Sequence, residues 1–295
     1  MIFNKHGSFY LRKNWPMKGL KAIKDQPTIF SPQNKIEAVD ELGLGNVMVT
    51  SLRYWMSAIG LAYEDRDNAG RIALYPTDLG ETIYKEDPYL QRIGTDWLLH
   101  RNLARNISAA TTWYWFFNKF EKKEFTKEEF IEELDSFIKI KGKSIAQSSL
   151  DRDYSCLIAS YRQIEIKDIS QYIEEGIISY FSELELISKQ RDKKYRKLTP
   201  KENNIPFEII LYAILDDIQE DIKEKEWQIS ISEILEKDKS PGKLFNLSQN
   251  LLLAKLDQME KKGHIRVYNR FGHNHIEIIN KDKDKILEEY YRRDA

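Results

Sequence analysis

Residues 40–59 read DELGLGNVMVTSLRYWMSAI, and the fold is decided here. The stretch spells a short helix, a turn at Gly43-Leu44-Gly45, and a second helix over about residues 46–59. In the second helix Met48, Leu52, Trp55 and Ile59 recur at helical spacing, and Val49 and Met56 widen the apolar stripe. Asn46, Thr50, Arg53 and Ser57 fall on the opposite face, flanked by Tyr54, and no acid interrupts them. A helix-turn-helix offers such a second helix to the major groove of DNA, where short polar side chains and arginine reach base edges. A hairpin follows. Residues 61–63 and 72–74 pair as short strands around the turn 66–71, a wing with Arg66 and Arg71 at its shoulders. A three-helix core motif with no role on DNA satisfies the same spacing.

Composition sets the outer bounds. With 295 residues, 41% hydrophobic and 12% aromatic, the chain can bury a sizeable core and is long for one helical domain. Lys+Arg 46 nearly cancels Asp+Glu 47, so no global field draws it to DNA, and nucleic-acid binding needs local patches. One cysteine, Cys156, excludes an internal disulfide framework and a cysteine-rich zinc site. No apolar run is long enough to span a bilayer, and MIFNKHGSFYLRKNW at the start lacks a signal-peptide core. The expectation is a cytoplasmic protein with no membrane partner.

Before the helix-turn-helix, His6, Phe9, Arg12 and Trp15 suggest an arm whose aromatics pack on the body while His6 and Arg12 stay available. After the wing, Thr77 caps a helix that ends at Asp87-Pro88. The next helix carries Asp96, Trp97, His100 and Arg101. Trp113, Tyr114, Trp115, Phe116, Phe117 and Phe120 then mark a helix buried on most sides rather than a base-stacking platform. Thr126-Lys127-Glu128-Glu129 is a capping box, and a later helix through Tyr161 opens with Asp151, Arg152 and Asp153. Residues 189–201 are strongly basic, and Lys193, Lys194, Arg196 and Lys197 suit phosphate contacts that hold DNA without reading it.

From residue 205 a second helix-turn-helix-hairpin order can be read. A long helix opens at Pro206 and runs to about 225, and a short helix ends near Lys237. Ser248 caps a helix stopped by Gly263, and a hairpin turns at 271–274. The face of that capped helix, Asn250, Ala254, Asp257 and Lys261, includes an acid that phosphates would repel. It therefore suits homodimerisation or partner docking better than DNA. The expected fold is mainly α, with tandem winged helix-turn-helix-like domains and small β wings. An N-terminal helical domain, 1–165, contains a winged helix at about 35–85. A structured connector with the basic stretch covers 166–204, and a C-terminal winged-helix-like domain covers 205–295.

Recognised catalytic motifs are absent: there is no glycine-rich phosphate loop, no HExxH and no nucleophile elbow. Cutting a phosphodiester generally needs carboxylates holding one or two divalent metals, or a Tyr or His nucleophile. The polar candidates are His6, Arg12, Asp87, Asp96, His100, Asp151 and Asp153, scattered in sequence. Asp151 and Asp153 are the closest-spaced pair, but residues two apart on a helix point to different sides. At most one then reaches a shared Mg²⁺ or Mn²⁺, with His100 or Asp87 coming from another helix. No metal ligand is assigned, and enzyme status stays open.

Several stretches together resemble an SspB-like family, a bacterial domain family of unknown function found in DNA phosphorothioation and antiphage-defence gene clusters. They are HGSFYLRKNW, LGLGNVMVTSLRYWMSAIGLA, PTDLGETIY, DPYLQRIGTDWLLHRNL, TTWYWFFNKF, SSLDRDYSCLIASY and SPGKLFNLSQ, in order over most of the chain. Where that family usually opens His-Glu-Thr-Phe, this chain has His6-Gly7-Ser8-Phe9 and lacks the acid. The resemblance implies a component that binds double-stranded DNA and a nickase activity accompanying exchange of a phosphate oxygen for sulfur. It implies a cysteine desulfurase, an ATPase and an ATP-pyrophosphatase-like enzyme as partners. The alternatives are a winged-helix transcriptional regulator and a non-catalytic DNA-binding scaffold of the same system.

Overall fold

The computed structural model describes residues 1–162, 178–220, 227–270 and 273–293. The chain is mainly helical, with small antiparallel sheets. It divides into two compact units, Met1–Phe116 with Phe120–Leu198, and Thr199–Ala295 with Phe117–Lys119.

The first unit begins with three helices, α1 (Trp15–Asp25), α2 (Lys35–Leu42) and α3 (Asn46–Ala58), and a hairpin of β1 (Ala62–Arg66) and β2 (Ile72–Pro76). The turn between α2 and α3 depends on Gly43, whose φ of 60° lies in the left-handed region that glycine adopts without a Cβ penalty. Leu52, Trp55 and Met56 are fully enclosed, each contributing roughly 1.5–3 kcal/mol from apolar area removed from water. Gly19 of α1 packs against Met56, and a Cβ built there would stand 2.4 Å from its sulfur, so a larger residue would have to displace the Met56 thioether. In the hairpin Ala62 pairs with Pro76 and Arg66 with Ile72, a longer ladder than the three-residue strands expected.

Helices α4 (Asp78–Glu86), α5 (Ile93–Arg105), α6 (Thr111–Asn118), α7 (Lys127–Ile140) and α8 (Gln147–Tyr161) follow. Thr77 caps α4 by accepting the Gly80 amide at 3.0 Å. Thr126 and Glu129 form the capping box of α7. The six aromatics of the α6 region are all buried. Sequence reading missed a sheet of order β3-β5-β4, from Glu124–Phe125, Tyr195–Lys197 and Ile187–Lys189. Strands of two or three residues carry no detectable alternation, and β3 meets β5 only through long-range pairing. The span expected as a connector is thus divided: residues 163–177 lie outside the described residues, and 178–198 belong to the first unit.

The second unit contains α9 (Phe207–Glu220), α10 (Ile231–Glu236), α11 (Pro241–Leu244), α12 (Gln249–Lys261) and α13 (Lys283–Arg292). Its sheet has the order β6-β8-β7, from Gln228–Ser230, His273–Ile278 and Ile265–Arg270. Ser230 begins a capping box and Ser248 accepts the Leu251 amide at 3.2 Å. The ion pairs Lys283–Asp216 and Arg293–Glu208, both 2.5 Å, tie α13 to α9. The expected end of the long helix at 221–225 and the turn at 271–272 lie outside the described residues.

Candidate nucleic-acid interface

The surface of α3 is built as its periodicity requires. Val49, Leu52, Trp55 and Met56 face inward, while Asn46, Val47 and Thr50 are exposed and Arg53 and Ser57 half-buried. The Thr50 hydroxyl donates to the Asn46 carbonyl at 3.2 Å, a local bond that solvent or a base edge can replace. Val47, 57% exposed, leaves an apolar side chain beside these polar groups.

Tyr54 departs from this face. Its hydroxyl donates to the Ala109 carbonyl at 3.1 Å and its ring packs on Trp55 and His6. Burial, and then the Asp153 carboxylate, pushes that hydroxyl well above its ordinary pKa. Helical spacing placed Tyr54 at the edge of the polar face, but a long ring at an edge position turns toward the nearest apolar surface.

Arg53 donates from Nε at 2.9 Å and from a terminal nitrogen at 2.6 Å to one oxygen of Glu64 on β1. The wing arginines are likewise engaged locally. Arg66 donates to the Gly70 carbonyl at 2.6 Å and Arg71 to Asp67 at 2.7 Å. The Arg71 amide, first, and its guanidinium hold the Asp67 carboxyl below its ordinary value. From residue 35 to 76, Glu37, Asp40, Glu41, Glu64, Asp65 and Asp67 outnumber Lys35, Arg53, Arg66 and Arg71. The local field therefore does little to attract phosphates.

The basic hairpin divides in two. Arg196 is paired with Glu124, and Lys197 donates at 2.5 Å to the Phe116 and Phe120 carbonyls at the end of α6 while lying over the Phe116 ring. Lys193 and Lys194 are exposed at its tip, close enough to Glu128 and Glu129 to favour their ionised forms. Those carboxyls are lowered mainly by hydrogen bonds at the start of α7.

Most of the scattered catalytic candidates are engaged in contacts within the fold. His6 is fully enclosed, where availability was expected. Its Nδ1 accepts the Ser8 amide at 3.1 Å, which leaves Nε2 to donate to Asp153 at 2.9 Å. The same Asp153 carboxylate accepts the Asn4 amide at 2.8 Å and the Thr112 hydroxyl at 2.5 Å. Trp55 stacks on the His6 ring at 6.1 Å and Trp113 meets it edge-on at 5.7 Å. The Ser51 hydroxyl and Trp55 indole donate to the carbonyls of His6 and Phe9. The N-terminal arm is thereby pinned to α3, α6 and α8.

Arg12 lies 5.5 Å from the Trp15 ring, a cation–π packing rather than a free side chain. Asp87 is buried and accepts the Gln91 and Arg92 amides and the Thr95 hydroxyl, closing the link from α4 to α5. His100, also enclosed, bonds the Tyr161 hydroxyl at 2.8 Å. Asp151 stays nearer the surface and pairs with Lys127 at 2.7 Å, so the two aspartates of α8 go to different sides. Asp96 is buried with Oδ1 unpartnered, and burial first of all raises its carboxyl well above the ordinary value. No group of three His, Cys, Asp or Glu is placed to hold a metal ion among the described residues. Sequence reading also missed Glu64, because no period links a helix residue to its partner on a neighbouring strand.

Among solved structures the chain is similar to magnesium ion-bound SspB, with a TM-score of 0.86, and to a second SspB crystal structure at 0.85. Each is 22% identical and covers 98% of this chain and 87% of its own, a likeness of fold from end to end. No curated protein matches the sequence. No helix among the described residues is long and apolar enough to cross a membrane. The profile of a protein family of unknown function, DUF4007, matches residues 3–291, and the chain belongs to that family.

Proposed function

We propose that this chain is a cytoplasmic, DNA-binding component of a bacterial DNA phosphorothioation and antiphage-defence system. Helices α2 and α3 and the β1–β2 hairpin act as a winged helix on double-stranded DNA. The observation that carries this reading is the polar face of α3, where Asn46, Thr50, Arg53 and Ser57 stand with no acid from the helix itself and Arg53 is held by Glu64 of β1. That face sits in a fold shared from end to end with SspB. Asn46 and Arg53 have the hydrogen-bonding forks that read adenine and guanine, and Val47 suits a thymine methyl. In the second unit α11, α12 and the β7–β8 hairpin repeat the order, so we read the two as tandem winged helices. There Asp257, paired with Lys261 at 2.6 Å, would repel phosphates, and we read that face as serving homodimer or protein contacts. A cysteine desulfurase, an ATPase and an ATP-pyrophosphatase-like enzyme are the proposed partners.

The test is fluorescence anisotropy with a labelled duplex over a salt series. Salt-sensitive duplex binding supports the reading, and its absence overturns it in favour of a protein scaffold. Intact DNA with one strongly preferred palindrome would instead support a transcriptional regulator.

Nicking is the second reading, favoured by the magnesium ion bound in one similar structure. The described residues do not assemble the oxygen-ligand set that Mg²⁺ needs, so no catalytic step is assigned to them. Supercoiled plasmid with Mg²⁺ or Mn²⁺ decides it. Nicking by wild type that is lost in Asp151→Asn supports the reading with that residue in the site. Equal nicking by both removes Asp151, and intact plasmid leaves a binding module.

A further inference from the structure

A pocket of about 220 Å³ opens beside the polar face of α3. Its floor is apolar, with Ile29 and Phe30 from the loop after α1, Ala38 from α2 and Val49 from α3, all buried. Its rim is polar and reachable, with Lys35 at the start of α2 and Asn46 and Thr50 on α3, all exposed. Arg53 lines it as well, already bound to Glu64 through two of its nitrogens.

The loop that forms one wall is held in place by its own hydrogen bonds. The Ile29 amide donates to the Gln26 carbonyl at 2.9 Å, the Ser31 amide to Thr28 at 2.8 Å and the Asn34 amide to Ser31 at 2.9 Å. The Asn34 side chain donates to the Thr28 carbonyl at 3.0 Å. The Leu74 amide of β2 donates to the Pro27 carbonyl at 2.9 Å, which fastens the same loop to the hairpin. Pocket, α3 and hairpin are therefore one preorganised block, and a ligand seated here pays little to order it.

The polar groups of the lining differ in how far they are committed. The Ser31 hydroxyl is spent on Gln33. The Thr50 hydroxyl donates to the Asn46 carbonyl at 3.2 Å, a long local bond on an exposed helix face that a better acceptor can replace. Among the described residues the Lys35 ammonium has no hydrogen bond or ion pair. An ammonium and a hydroxyl donor over an apolar floor suit a small anion carried on an aliphatic body. The volume falls below the roughly 300–1,000 Å³ of sites that enclose whole small molecules.

We infer that this pocket seats one phosphodiester of the DNA backbone, its oxygens at Lys35 and Thr50 and its deoxyribose against Phe30. The inference rests on the winged-helix reading above and names the contact that sets its register. Phosphate contacts position a protein on the duplex and base contacts specify sequence, so Lys35 fixes where Asn46 and Arg53 meet the bases.

The experiment uses the full chain, labelled duplexes of several sequences in a salt series, and mass spectrometry of lysines reductively methylated with and without duplex. Lys35→Ala should weaken binding about fivefold and lower the salt slope by about one unit, equally for every sequence. Lys35→Arg should restore both. Thr50→Val should weaken binding without altering the slope, since it removes a neutral donor. Urea midpoints should stay the same in all three variants, because both residues are exposed. Lys35 should be methylated in the free chain and protected in the complex, while the exposed Lys262 of the second unit stays reactive in both. Duplex binding that leaves Lys35 unprotected, or that Lys35→Ala leaves unchanged, overturns the inference and leaves the winged-helix reading standing. A loss confined to one sequence would make Lys35 a base reader and overturns the inference too. So does protection by inorganic phosphate at matched ionic strength but not by duplex, which would identify a free anion as the occupant. No duplex binding by wild type overturns the inference and that reading together.

Discussion

Two groups of polar side chains in the first unit meet opposite fates. His6, Thr112 and Asp153 are enclosed, and their hydrogen bonds close on one another and on the backbone of the N-terminal arm. Asn46, Thr50 and Arg53 lie on α3 with bonds that are local or solvent-facing. A His–Asp pair within 2.9 Å has the look of an acid–base couple, yet here every further acceptor position of Asp153 that is used serves the fold. The exposed set looks chemically plainer and is the one a ligand can reach. Residue type nominates candidates, and satisfaction inside the protein decides between fastening and function.

The largest effect should come from breaking the enclosed group. Asp153→Ala leaves the His6 ring, the Asn4 amide and the Thr112 hydroxyl without their acceptor, and should cost about 3–5 kcal/mol in urea unfolding. A loss under about 1 kcal/mol would show that the arm is not held there. On the exposed side, Arg53→Ala should leave unfolding nearly unchanged and weaken duplex binding by about 1–3 kcal/mol if it reads a base edge. Unchanged affinity would move the functional surface off α3.

Asp96 sharpens the comparison by pH. Its folded-state carboxyl titrates above the ordinary value because burial disfavours the charge. Between the ordinary and the raised value the folded chain holds a proton that the unfolded chain has released, so stability falls as pH rises through that window. Asp96→Asn should flatten this decline in urea midpoints measured from pH 4 upward, and an unaltered slope would assign the decline to another group. The smallest effect belongs to Glu64→Gln. It weakens an exposed ion pair whose contribution is at most about 1 kcal/mol, so duplex affinity should rise by up to about fivefold as Arg53 is released. A fall in affinity would mean that Glu64 orients Arg53 on the DNA.

Local features were legible in the sequence and distant pairings were not. The span of α3, the αL turn at Gly43 and the caps at Thr77, Thr126 and Ser248 each depend on residues within one or two turns. The burial of His6 depends on Trp113 and Asp153, more than a hundred positions away, and nothing in HGSFYLRKNW signals it. The β4–β5 strands show the same limit. Their basic residues read as free cations, yet Arg196 and Lys197 find Glu124 and the end of α6 only through the fold. Tyr10, Tyr154 and Tyr195, one to each of three distant segments, meet at one cavity that no spacing reveals.

Hydrogen exchange of the full chain, with and without a saturating duplex, tests the central claim most directly, because it reports where DNA rests without altering a residue. The account predicts slower exchange at the α2–α3 turn, residues 43–47, and at the hairpin turn, residues 67–71, with residues 249–261 unchanged. Protection confined to 249–261 or to 193–197, with the α3 region unaffected, would contradict it.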